Sequence, residues 1–446
     1  MNATLRMARP PRSGPRPGCS TAARCALVSL LALAAPLAGA APVVSKPMPA
    51  ASATAPAPAA AAYQRGIEAL AKGDRGAAEA AFREALKLDA AHVPSMLGMG
   101  ELAFQASRVD DAGTWIGQAV KARPDNADAQ ASWGRFLGLK GRHAESEAAL
   151  RRAAQLDARA FRPRIDLADL LVARGQLQPA AALYREALAL NAGHAGARYG
   201  LGQTLLRLGD VNGAATELAQ AARLAPGNPL PLVALARAEL SRSKPDAALA
   251  EVDKALAIQP ALIEALMLKG DVLDAKGQPD AALQAFAAAA QAAPKLGLPH
   301  MRAGMVEQQR GRIDAAVAAY QRAIAADPQQ ASALNNLAAL AVERKQDLAQ
   351  AEAWALKAVS LNPRAAQFHD TLGAVQRAQG KRPAAVKTLQ TAAKLAPKDA
   401  AIRFHLGQAL VEAGDKAQAR KALQEALALS ANFPGAEQAR QLLTTL

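Results

Sequence analysis

Six histidines, two cysteines and a spread of carboxylates are the side chains of this 446-residue chain with the means to do chemistry. A metal held by histidines on a helix wants two of them four residues apart, so that both imidazoles leave one face. His92, His143, His194, His300, His369 and His405 never meet that spacing. General acid–base work wants carboxylates in a closed, desolvated pocket that perturbs their pKa values. Asp271 and Asp274 share one helical face, and they read as adjacent charges on a solvated surface. Cys19 and Cys25 stand near the amino terminus, in a segment expected to be removed, which takes thiol and thiolate–metal chemistry out of the mature chain. The expectation is a protein with no catalytic residues, no metal and no cofactor.

The elements that carry these side chains are written in periodic ladders. A small residue recurs every 34 positions at Gly66, Gly100, Gly134, Ala168, Gly202, Ala236, Gly270, Gly304 and Ala338, then at Gly373 and Gly407 after a one-residue slip. A second ladder follows 19 residues behind, at Ala85, Ala119, Ala153, Ala187, Ala221, Ala255, Ala289 and Ala323, and continues in register after the slip at Ala358, Ala392 and Ala426. Between them falls a bulky position: Phe82, Ile116, Leu150, Tyr184, Leu218, Val252, Phe286, Tyr320, Leu389 and Leu423, interrupted once by Ala355. The spacing predicts two antiparallel helices per unit, with the first-helix small residue facing the second-helix alanines and the bulky residue filling the space beside them. Gly73, Gly141, Gly175, Gly209, Gly277, Gly311, Gly380 and Gly414 fall between the helices, where a left-handed residue ends the first one. Ser107, Ser243 and Lys345 occupy that place in the other units. Pro124, Pro226, Pro260, Pro294, Pro328, Pro363 and Pro397 stop the second helix.

These ladders resemble the tetratricopeptide repeat, or TPR, family. The resemblance implies an all-α fold, a right-handed superhelical solenoid of about eleven helical hairpins over residues 59–433, closed by a capping helix at 434–446. It also implies a concave groove lined by the first helix of each unit. Threading the chain on that rule puts six arginines in the groove, among them Arg135, Arg237, Arg302 and Arg377, against ten carboxylates, among them Asp166, Asp169, Glu264, Asp370 and Glu412, so the groove is expected to be mildly acidic. Leu97, Ile165, Val172, Leu206, Val233 and Leu240 join Phe104, Tyr199, Met267, Met301 and Phe404 as apolar side chains facing it or packing between first helices. The candidate partner-binding residues are Phe104, Asp169, Tyr199, Arg237, Met267, Asp271, Asp274, Met301, Asn335, Asn336 and Phe404. Two specialised grooves of the family are missing. Leu298, Met301, Gln367 and Asp370 stand where a clamp for a terminal carboxylate needs lysines, and the series from Gly98 and Ser132 through Asp166 to His405 is no asparagine ladder.

The ends differ from the array. Arg6, Arg9, Arg12, Arg16 and Arg24 precede an apolar run from Ala26 to Leu37 and then Ala38-Gly39-Ala40, the pattern of a secretory signal peptide cleaved after Ala40. Residues 41–58, rich in alanine and proline, read as an extended tether. Lysine and arginine exceed aspartate and glutamate by 15, and by 10 without the five leader arginines. With an acidic groove, that surplus belongs to the second helices and outer edge, as at Arg151, Arg152, Lys387, Lys394, Arg420 and Lys421. No aromatic–basic interleaving points to nucleic acid. Leu334 to Ala338, Leu361-Asn362-Pro363, Thr371-Leu372-Gly373 and Phe433-Pro434 resemble the C-terminal part of TPR proteins from bacterial exopolysaccharide and PEP-CTERM sorting systems. The expected role is a periplasmic, non-catalytic scaffold for protein or peptide segments of envelope machinery. Peripheral membrane association and oligomeric state are left open. Binding of anionic polysaccharide or peptidoglycan by the basic edge is the alternative, and an enzyme of envelope polymers ranks last.

Overall fold

A computed structural model of the chain describes residues 57–446. The expected leader, and the expected tether up to residue 56, lie outside the described residues. The described residues form twenty-three α-helices and no β-strand, and they divide into two compact units that meet at Ala122 and Arg123. No helix among them is long and apolar enough to cross a membrane.

The first unit holds two hairpins: α1 (Pro58–Ala71) with α2 (Arg75–Leu88), and α3 (Val93–Gln105) with α4 (Val109–Ala122). The second unit begins with α5 (Ala127–Leu139) and α6 (His143–Leu156), α7 (Arg162–Ala173) and α8 (Leu177–Leu190), α9 (Ala195–Leu208) and α10 (Val211–Leu224), and α11 (Leu230–Ser241) and α12 (Pro245–Ile258). It continues with α13 (Ile263–Ala275) and α14 (Pro279–Ala292), α15 (Gly297–Gln309) and α16 (Ile313–Ala326), and α17 (Ala331–Arg344) and α18 (Leu348–Leu361). Its last hairpins are α19 (Ala366–Ala378) with α20 (Arg382–Leu395) and α21 (Ala400–Ala413) with α22 (Lys416–Leu429), after which comes the single helix α23 (Ala436–Thr445). Each helix packs on the next in sequence within its unit, which makes the second unit a solenoid of hairpins. Local chemistry sets the ends: Asp74, Asn126, Asp210 and Asp415 accept the backbone N–H three residues on, satisfying a donor that the first turn leaves open.

Every expected turn residue is left-handed. Ser107 and Ser243 have φ 59° and Lys345 φ 51°, alongside the eight turn glycines. The one-residue slip lies in the turn between α17 and α18, where Asp347 adds a second left-handed residue at φ 50° and absorbs the insertion without shifting either helix face.

Between the helices the packing differs from expectation in one respect. The first-helix glycine faces the bulky residue directly, rather than the alanines. A Cβ added at Gly270 would lie 2.3 Å from Phe286 Cε1, and one at Gly304 2.5 Å from Tyr320 Cε1. Gly66 with Phe82, Gly134 with Leu150, Gly202 with Leu218, Gly373 with Leu389 and Gly407 with Leu423 repeat the arrangement. A ring or branched side chain from the second helix needs the room that the missing Cβ leaves, and the alanines then close the interface on either side, as at the fully buried Ala255, Ala289 and Ala323. In the hairpin where Ala338 meets Ala355, Trp354 compensates by packing against three neighbouring core clusters.

Two substitutions separate packing from backbone strain. Gly270→Ala should overpack Phe286 and cost about 1–3 kcal/mol. Lys345→Gly should gain about 0.5 kcal/mol, because relief of the left-handed strain outweighs the added freedom of the unfolded chain. Denaturant midpoints of the full chain check both; a neutral Gly270→Ala would contradict the packing assigned to that glycine.

Candidate partner-binding groove

Second-helix side chains set the distance between successive first helices. Within the second unit, α5, α7, α9, α11 and α13 approach one another in turn, as do α17, α19 and α21, while each second helix packs on the following first helix. The first helices are therefore the inner layer and the second helices fan outward. The bulky residue of one hairpin reaches past its own small partner to the next first helix. Where it is Tyr184, that helix offers Gly200, whose absent Cβ would lie 2.6 Å from the ring. Behind Phe286 stands Arg302 instead, and behind Tyr320 stands Asn336. There α13, α15 and α17 line an open cleft.

Many groove charges neutralise each other across that inner layer. Arg377 Nη2 meets Glu412 at 2.6 Å, and its Nη1 donates to Gln408. His405 Nδ1 lies 2.8 Å from Asp370, and Arg135 lies 3.9 Å from Asp166. A second set of pairs stitches the outer edge: Arg174 with Glu147, Lys276 with Asp246, Arg310 with Asp280, Arg344 with Asp314 and Lys381 with Glu352. The first four join the end of a first helix to the preceding second helix, and Lys381, at the start of α20, reaches back to α18. Arg152, Lys387, Lys394, Arg420 and Lys421 are exposed and face no carboxylate at ion-pair distance.

Two places in the groove of the second unit keep uncompensated polar groups. On α7, Asp169 accepts a short hydrogen bond from the Tyr184 hydroxyl, which reaches the groove from α8. Asp169 is exposed at the surface of α7, while its carboxylate, held by Tyr184, sits in a crowded setting that disfavours its charge. This desolvation pushes its carboxyl up to about 6, the Tyr184 hydrogen bond pulls it back, and the charge of Asp166 adds to the rise. Asp166 is itself raised by burial, opposed by Arg135 and Arg162, and its Oδ2 is buried without a hydrogen-bond partner. Half-buried Tyr199 on α9 has its hydroxyl pKa raised by burial, with Arg237 opposing.

The other place is an open cleft of about 430 Å³ lined by Asp271 and Asp274 of α13, Arg302, Met305 and Gln308 of α15, and Asn336 of α17, with Phe286 and Tyr320 below. Arg302 Nη2 reaches Asp271 Oδ2 at 3.4 Å, and burial raises the Asp271 carboxyl against the pull of that guanidinium.

The candidate residues thus part company. Asp271, Asp274 and Asn336 come together in one cleft; Asn335 beside them is half-buried, with Oδ1 enclosed and without a hydrogen bond. Asp169, Tyr199 and Arg237 line the inner layer further toward the amino terminus, and Arg237 is exposed. Phe104 is half-buried in the first unit. Met267, Met301 and Phe404 are corrections: all three are buried. Met267 packs with Phe286 and Val306, and Met301 with Tyr320 and Leu337. Phe404 is covered from beyond the last hairpin by Phe433, 5.7 Å away, and by Gly435. Val233 is buried too. Tyr184 and Tyr320 were missed, because a second-helix residue was read only as core; a hydroxyl at an aromatic packing position was the available signal. The histidines stay apart: His194 Nδ1 caps α9 through Ala197 N–H at 3.0 Å, and no group of three or more His, Cys, Asp or Glu among the described residues is placed to hold a metal.

Residues 63–127, 165–229, 233–296 and 371–437 match a family model described as tetratricopeptide repeat, and residues 304–343 match one described as TPR repeat. No curated protein matches the chain in sequence. Among solved structures, yeast Tom70 is 15% identical, with 87% of this chain and 95% of that chain covered at a TM-score of 0.46. YrrB, described as a TPR protein with an unusual peptide-binding site, is 26% identical over 42% of this chain and 97% of its own, at a TM-score of 0.36. PilW, described as a widely conserved type IV pilus biogenesis factor, is 22% identical over 46% of this chain and 96% of its own, at 0.43.

Asp169 gives the groove a pH signature. Between the ordinary carboxylate value and about 6 the folded chain holds a proton that the unfolded chain has lost. That contribution to stability is full below the ordinary value and is lost as pH rises through the folded one. Asp169→Asn, always neutral, should therefore raise the melting temperature over the natural chain more at about pH 7.5 than at about pH 4.5. Equal differences at the two pH values would contradict the assignment.

Proposed function

Because the chain belongs to the tetratricopeptide repeat family, a helical scaffold for protein–protein interaction, we propose that it is exported to the periplasm and holds protein segments of the cell envelope along its first helices, in envelope assembly or exopolysaccharide export. The observation that carries the docking surface is the inner layer of the second unit, where Asp169, Tyr199, Arg237, Asp271, Asp274 and Asn336 present polar and aromatic groups on consecutive first helices. Modest contacts to one extended partner then combine across hairpins. The leader between Arg6 and Ala40 supports export, and the segment from Leu334 to Pro434 supports the exopolysaccharide pathway through its resemblance to that group. The scaffold is non-catalytic in this reading. A second reading rests on the unpaired cations Arg152, Lys387, Lys394, Arg420 and Lys421: an anionic polysaccharide or peptidoglycan on the outer edge, held with a strong dependence on salt.

Protein recovered from the periplasm should begin at Ala41 by mass spectrometry and, on beads, should capture envelope proteins from a periplasmic extract. Arg237→Ala, or Asp271→Asn with Asp274→Asn, should lower that capture about fivefold, equivalent to about 1 kcal/mol, without changing helicity. Arg151→Ala with Arg152→Ala should leave it intact. Full capture by the groove variants with loss in the edge variant would overturn the groove reading in favour of the edge.

A further inference from the structure

Resting on the groove reading, we propose that the cleft between α13, α15 and α17 takes an extended partner segment bearing a lysine or arginine, whose cation enters beside Asp274 and Asp271 while Gln308 and Asn336 pair with its backbone. Three independent observations converge on this occupant.

The cleft is built by sequence choices that the rest of the second unit does not make. An aromatic ring needs a glycine opposite if the next first helix is to close in, as Gly200 does for Tyr184. Arg302 and Asn336 stand opposite Phe286 and Tyr320, and an open cleft of about 430 Å³ lies there. The resulting trough is open to solvent and of a size that accepts a short stretch of chain.

Its charge is incomplete. Asp271 is opposed by Arg302 at 3.4 Å and more remotely by Arg237 of α11. Asp274 has no cation partner. Neighbouring cations are turned elsewhere: Lys276, on the same helix, is bound to Asp246, and Arg310 of α15 to Asp280. One more carboxylate than cation lines the cleft, so an anionic ligand is disfavoured and a single positive side chain completes the set. Met305, 42% exposed at the rim, offers apolar surface to the aliphatic stem of such a side chain.

Its amides are oriented for a peptide. The Tyr320 hydroxyl donates to Gln308 Oε1 at 2.8 Å, and Asn336 lines the same cleft from α17. That bond fixes Gln308 and leaves its amide nitrogen as a donor, while the Asn336 amide carries both a donor and an acceptor. A peptide backbone carries the complementary acceptor and donor on each residue.

Selection of a displayed random decamer library on the full chain, followed by fluorescence anisotropy with synthetic decamers, tests this. Selected decamers should share a lysine or arginine. Replacing that residue with norleucine should weaken binding about tenfold, as should Asp271→Asn with Asp274→Asn, and the two losses should not add, because they remove one contact. Asp274→Asn alone, which strips no internal partner, should show part of the loss with unchanged melting. Tyr320→Phe should weaken lysine and norleucine decamers alike. Selected decamers without a basic residue, or with full affinity for the doubly substituted chain, would overturn the inference. If those decamers are instead lost on Arg237→Ala, the groove reading stands and this cleft is not the seat. If no decamer is enriched and none binds, both readings fall.

Discussion

A glycine or alanine on one helix set against a ring or branched side chain on the next is the contact on which the rest of the structure depends. At Gly270, Gly304 and Gly373 an added Cβ would lie about 2.5 Å or less from the opposing side chain, so the two helices sit at a separation that only the smallest side chains allow. The same contact sends the bulky residue onward to the next hairpin, where it becomes a spacer. Ala355 is the smallest spacer, beside α17 and α19, while the ring of Tyr320 stands against Asn336 in the cleft between α15 and α17. One repeated pair of positions thus determines both the stability of each hairpin and the local width of the surface it presents.

Binding chemistry follows from that spacing. Where first helices lie close, their charges find each other, as Arg377 finds Glu412 and His405 finds Asp370. Such pairs hold neighbouring hairpins in register and contribute little free charge to a partner. In the cleft lined by α13, α15 and α17, Asp274 has no cation partner, and the Tyr320 hydroxyl at the floor of the groove orients Gln308. The edge pairs from Arg174 with Glu147 to Lys381 with Glu352 do the equivalent on the other side, and Arg152, Lys387, Lys394, Arg420 and Lys421 stay exposed on the second helices.

The fold was legible because its determinants are local and periodic. The ladders named both helices of every hairpin, and the turn position named Ser107, Ser243 and Lys345 as left-handed without a glycine to mark them. The groove was legible only as a helix face. Threading says that Met267 and Met301 point toward the inner layer, but their burial depends on how near the next hairpin stands, which the spacers decide. Phe404 was lost for a different reason: Phe433 and Gly435, beyond the last repeat, fold over it. Tyr184 and Tyr320 escaped notice because a period assigns a residue to the core by its ring, while function here resides in the hydroxyl at its tip.

The claim that partners dock on the first helices is tested most directly by photo-crosslinking in intact cells. A photoreactive amino acid placed at exposed Gln309 or Arg237, and in separate chains at Arg152, Lys394 or Arg420, would report contact without removing a packing residue. The account predicts covalent adducts with the same partner protein from the Gln309 and Arg237 positions and none from the other three. Adducts confined to Arg152, Lys394 and Arg420 would contradict it.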